Sequence, residues 1–347
     1  MKKLARKARR NEYPWANLPY QELLSWRFRD LGIKVEGTEV GRCVDRLYAE
    51  LAEKGLTFRP HVWLSSEWFS PDATPGIAIP FYLAHPRLKK LEQRQMLEVE
   101  GGTESSCLRI LRHEAGHAFD TAYRLHRRKR YREIFGPETM KYPKVYSPKP
   151  YSKSYVLHLD MWYAQAHPAE DFAETFAVWL KPGHRWRKHY KDWPALKKLE
   201  YVDELMAEIG QEVPPFHPRF FVEPLKELKS TLRDHYTVKG VHYAAARPEF
   251  FDSDLRRLFS DSKDFVANAT AASFLRGRRQ NLRRLVARWT GEYQYTIDKV
   301  LDDIIKRCQQ LRLRLTQSPQ RAEIDTVVLL TVQTMNYLHA GHHRVVL

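Results

Sequence analysis

Apolar side chains recur at three- and four-residue intervals amid mixed charge between residues 20 and 55, the period of a helix that buries one face. The stretch 60–83, PHVWLSSEWFSPDATPGIAIPFYL, breaks that period: β-branched and aromatic residues crowd together and Pro and Gly punctuate them, which predicts short strands and turns. Helical spacing returns over 103–125. It is followed by the polar run RRKRYRE and a Tyr-, Pro- and Lys-rich segment ending near Tyr155, which reads as a loop or a loosely folded insertion. A further helix is predicted over 168–180, with Pro168 in the first turn, where a missing N–H is harmless. VPPFHPRFF, residues 213–221, marks a domain boundary. Beyond it the pattern is helical over 265–275, 278–289, 293–315 and 322–339, with Ile297, Leu301, Ile304, Cys308, Leu311 and Leu315 on one stripe of the third. The fold class expected is therefore α+β: a basic flexible arm at 1–12, a mixed domain over 13–215 and an α-helical C-terminal domain over 222–347.

The 347 residues are 43% apolar and 12% aromatic, enough for a sizeable core, and this excludes a disordered or collagen-like chain. Lys and Arg number 58 against 42 Asp and Glu, a net charge of +16 that makes acidic partners plausible. Cys43, Cys107 and Cys308 are odd in number, far apart and without CxxC spacing. That pattern fits neither a disulfide scaffold nor a thiolate metal site and points to a reducing cytoplasm. The start, MKKLARKARRNEYPW, has no apolar stretch after its charges, and no run approaches the roughly 20 residues that span a bilayer. A cytoplasmic protein without a membrane partner is expected.

The chemistry is concentrated in HEAGH, residues 113–117, where His113 and His117 at i and i+4 leave one side of a helix at metal-binding separation, with Glu114 between them. On a helical wheel the pair points away from the stripe of Leu108, Leu111, Ala115, Ala118, Phe119 and Ala122. A hydrolytic zinc site needs a third protein ligand. The extended pattern HExxHxxGxxH is excluded, because Asp120 and Tyr123 stand where its Gly and third His belong. The helix HPAEDFAETFAVWL offers Glu170 and Glu174, four apart on one face, either as a metal ligand and a partner for a ligand His or as a solvated acidic face near a helix start.

HEAGH followed by EDFAETFA resembles the gluzincin metallopeptidases, and within them the lethal-factor-like and putative zinc-binding metallopeptidase families, over about residues 60–182. The resemblance implies a zincin-like domain and one Zn2+ ion held by His113, His117 and Glu170. It further implies Glu114 as general base, Glu174 behind a ligand His, and hydrolysis of peptide bonds by a metal-activated water. Asp171, next to the ligand, could fill the role of Glu174 instead, and His126, His158 and His167 are rival ligands. Tyr163 matches the place of a tyrosine that assists catalysis in lethal-factor-like enzymes, with Tyr151 and Tyr155 as nearby competitors. Such peptidases hold substrate as an added strand on a sheet edge. Gly76, Ile77, Ala78 and Ile79 are the candidates here, because Pro80 is tolerated essentially at an edge. The expected partner is a peptide or protein, with acidic segments steered by the basic runs near 127–132 and 143–153. The competing reading is a basic nucleic-acid-binding or scaffold protein with an inactive zincin-like domain, supported by the charge and by the runs RRKRYR and RGRRQNLRR, but by no recognisable nucleic-acid motif.

Overall fold

The computed structural model describes residues 13–143, 145–146, 148–149, 152–244, 252–337 and 343–344; the basic arm at 1–12 and Tyr151 lie outside the described residues. In chain order the elements are α1 (Tyr20–Leu23), α2 (Glu39–Glu53), β1 (His61–Ser65), β2 (Gly76–Pro80), α3 (Pro86–Met96), α4 (Glu104–Tyr123), α5 (Lys129–Ile134), β3 (Val145–Tyr146) and α6 (Pro168–Leu180). They continue with α7 (Trp186–His189), α8 (Leu196–Ile209), α9 (Leu232–Ala244), α10 (Asp252–Leu258), β4 (Phe259–Ser260), α11 (Ala271–Thr290), α12 (Gln294–Gln310), β5 (Arg314–Leu315), α13 (Pro319–Tyr337) and β6 (His343–Arg344). A mostly helical chain with a small parallel sheet is consistent with the α+β expectation.

The helical spacing over 20–55 resolves into α1 and α2 rather than one helix. Gly32 and Gly37, at φ 62° and 73°, turn the chain between them, and Thr38 caps α2 by accepting the Gly41 N–H at 3.0 Å. β1 and β2 pair in parallel, Val62 opposite Ile77. α4 packs against α2, α6 and β2, so it is buried nearly all round, and Leu47, Leu51, Ile77, Ile79, Leu111, Phe119 and Phe176 join one core. Cys43 and Cys107, remote in sequence, both lie buried as free thiols on the packed helices α2 and α4.

The chain around the stretch 213–221 runs as a strap across the sheet. Trp63 Nε1 donates to the Val222 carbonyl, Ser65 Oγ to that of Glu223 and Thr74 Oγ1 to that of Pro218, each at 2.8 Å. Beyond the strap, Leu232 N–H donates to Trp26 O at 2.9 Å and Arg233 N–H to Leu24 O at 2.8 Å, so Leu225, Leu232 and Tyr236 belong to the first core. A second core begins at Leu255 and runs through α11 and α12, with Leu282, Val286, Ile297, Leu301, Ile304 and Cys308 buried. The two helices expected at 265–275 and 278–289 are a single α11. Its start is set by Thr270, whose Oγ1 accepts the Ser273 N–H at 3.2 Å, and Gly277 lies inside the helix where it meets nothing. α12 stops before Leu315, because Arg312 turns left-handed at φ 53° and β5 pairs with β4. Residues 129–134 of the expected loop form α5. Among the described residues, no helix is long and apolar enough to cross a membrane.

Candidate metal centre

Thr103 starts α4 by accepting the Ser106 N–H at 3.2 Å, and His167 starts α6 in the same way, its Nδ1 accepting the Ala169 N–H at 3.1 Å. The two helices cross at Gly116. A Cβ there would stand 2.8 Å from Ala173 Cα and 3.2 Å from Ala173 O, so only glycine permits this approach. Ala173 lies between Glu170 and Glu174, and the close crossing carries both carboxylates onto the histidines. His113 Nε2 lies 3.0 Å and His117 Nε2 3.2 Å from Glu170 Oε2, and the two nitrogens are 3.1 Å apart. Four ligands about 2.0–2.1 Å from a tetrahedral zinc are about 3.3 Å from one another. The near-equilateral triangle therefore has the dimensions of one face of such a site, and two imidazoles with a carboxylate are a donor set that zinc takes.

Glu174 Oε1 lies 2.7 Å from His113 Nδ1, and its other oxygen accepts the Leu159 N–H at 2.7 Å. With a metal bound at Nε2, the proton of His113 would sit on Nδ1, where Glu174 accepts it. Burial opposes a charge on His113, yet hydrogen bonds to Glu170 and Glu174 outweigh it and raise its pKa well above the ordinary 6.5. His117 is raised too, the charge of Glu170 overcoming burial. Burial would lift Glu170, but His117 and His113 reverse the effect and hold it well below the usual carboxylate range. The pocket thus favours bound positive charge.

Glu114 is buried on the same helix, and its charge acts on both His117 and Tyr163. The Tyr163 ring lies 5.7 Å from that of His113, and burial, then the charge of Glu170, raises its phenol well above the ordinary value. Tyr142 donates to Glu170 Oε1 at 3.0 Å, a contact absent from the sequence reading, because nothing in the aperiodic stretch after α5 singles this tyrosine out from its neighbours.

The other candidates lie outside the triangle. Asp171 touches neither histidine: one residue along a helix is a 100° turn, so its carboxylate faces α8 and pairs with Lys198 at 2.6 Å. Among the rival ligands, His158 Nε2 donates to Arg109 O at 2.8 Å, His167 is the cap of α6, and His126 lies between Asp120 and Glu138 at 2.9 and 3.2 Å. Tyr155 stands over the Lys198 ammonium. Gly76, Ile77, Ala78 and Ile79 are fully inside the protein, and the outer edge of β2 is occupied. Ala78 N–H donates to Phe69 O at 2.8 Å, Gly76 N–H to Thr74 O at 2.9 Å, and Pro80 has no N–H. An added strand would find no donor along 76–80.

Residues 89–184 match the model of a family described as "Putative zinc-binding metallo-peptidase". That span contains α4 and α6 whole, with all three converging donors, and leaves α7 to α13 outside. The match supports zinc binding and peptidase chemistry at the level of the family. Comparison with the curated proteins and with the solved structures finds no match.

Proposed function

We propose that the chain is a zinc-dependent metallopeptidase of the gluzincin kind, with His113, His117 and Glu170 holding one Zn2+ ion. The observation that carries the reading is the triangle of His113 Nε2, His117 Nε2 and Glu170 Oε2 with sides of 3.0 to 3.2 Å. Bound there, zinc would supply a Lewis acid that acidifies water and polarises a carbonyl. Glu114 takes a proton from the attacking water and passes it to the leaving amine. Tyr163 donates a hydrogen bond to the oxyanion as it develops, and Glu174 keeps His113 in one tautomer and one orientation.

The substrate is a peptide or protein. Arg128 and Arg130 of the basic run are engaged by Glu208 and Glu204 of α8, so any steering of acidic segments falls to the remaining cations. The paired arginines also weaken the nucleic-acid reading, as do Arg279 and Arg283, which are tied to Asp298. Replacing Glu114 by Gln tests the mechanism: the amide keeps the shape but takes no proton, so zinc content should stay at the wild-type level while peptide cleavage falls by about 100-fold or more. Undiminished cleavage would remove Glu114 from the mechanism.

A further inference from the structure

We propose that Tyr142 is a positioning residue for the third ligand: its hydroxyl fixes one oxygen of Glu170, so that only the other faces His113 and His117. The proposal rests on the zinc reading above and adds to it a residue that the HExxH and second-helix pattern does not contain. A carboxylate turns easily about its last torsion and can meet a metal through one oxygen or both. Here the two oxygens have separate partners: Oε1 accepts from the Tyr142 hydroxyl at 3.0 Å, while Oε2 lies 3.0 and 3.2 Å from the two imidazole nitrogens. A donor on Oε1 stops the carboxylate from swinging and holds Oε2 at the centre.

The ring that carries this hydroxyl is itself fixed. It stacks on His167 with centroids 3.8 Å apart and planes 16° from parallel. His167 is held at both nitrogens, Nδ1 by the Ala169 N–H at 3.1 Å and Nε2 by the Met140 carbonyl at 2.8 Å. Further back in the same segment Glu138 pairs with His126 at 3.2 Å, and His126 with Asp120 at 2.9 Å. The stretch 137–143 is thus tied to the end of α4 and the start of α6, the two helices that supply the ligands. Tyr142 remains 37% exposed, so filling a core does not account for it, whereas an aimed donor does.

Tyr142→Phe and Tyr142→Leu separate the hydroxyl from the ring, and zinc affinity measured by chelator competition reads the effect without any activity assay. Both variants should bind zinc about tenfold or more weakly than wild type. Both should alter the visible spectrum of the cobalt-substituted protein while keeping the wild-type Tm. Wild-type affinity and spectrum in Tyr142→Phe, with a loss in Tyr142→Leu alone, would assign the effect to the ring and overturn the proposal. Absence of zinc binding by the wild type would instead overturn the zinc reading, and this proposal with it.

Discussion

The helix pairs α4–α6 and α11–α12 both bury charged groups, and they do so in opposite ways. Between α11 and α12, the buried Asp298 meets Arg279 and Arg283, the latter at 3.2 Å, and Arg279 also meets Asp302 at 2.8 Å, so two cations stand against two carboxylates and the group is complete in itself. Arg112 of α4 is settled likewise, with two bonds of 2.7 and 2.8 Å to Glu50. One residue further on, His113, His117 and Glu170 turn their acceptor atoms toward a common point rather than toward separate donors. Buried charges satisfied in pairs leave nothing for a ligand to neutralise; buried acceptors converging on one point describe a place for a cation.

The contrast can be broken at each pair. Leu301→Ala hollows the second core, where the side chain is wholly buried, and should cost about 2–5 kcal/mol of stability by denaturant melts of the C-terminal helices, with zinc affinity unchanged. A parallel loss of zinc would mean that the helical region supports the centre. Gly116→Ala acts on the other pair. Its methyl meets the Ala173 backbone, which cannot give way as a flexible side chain would, so the helices must separate at a cost of about 1–3 kcal/mol, offset in part by the better helix propensity of Ala. Here zinc affinity should fall along with stability. Unchanged affinity would show that the triangle does not depend on the close crossing.

The smallest effect expected is at His126, where the comparison is sharpened rather than broken. Its hydrogen bond to Asp120 raises its pKa above the ordinary 6.5. A group raised in the folded state contributes stability that is fully present below its unfolded pKa and lost as pH rises through the folded one. Relative to His126→Gln in saturating zinc, wild type should therefore be more stable at acid pH, with the gap closing as pH rises above neutrality. A gap that widens with pH would mean that His126 is held neutral between Asp120 and Glu138.

What the sequence reveals of this centre is the part written in periodicity. His113 with His117 and Glu170 with Glu174 are each four apart on a helix, and a four-residue step keeps side chains on one face whatever the tertiary setting. Asp171 misleads because adjacency in sequence is not adjacency on a helix. Tyr142 is invisible because 137–143 has no period, and its role comes from contacts with α4 and α6 that only folding creates. The same holds for the sheet. Pro80 does mark an edge, but Phe69 reaches that edge from a turn whose course no local pattern encodes. The strap at 213–223 reads as a linker because Pro214, Pro215 and Pro218 leave its backbone without an element of its own, and what fixes it is three side chains of the sheet segment reaching its carbonyls.

The central claim is that three side chains from two helices hold one metal ion, and zinc content by mass spectrometry of purified wild type, Glu170→Ala, His126→Ala and His167→Ala addresses it most directly. The account predicts roughly one equivalent in the wild type, a strong loss in Glu170→Ala, and retention in both histidine variants. Full zinc in Glu170→Ala together with its loss from His126→Ala or His167→Ala would contradict it.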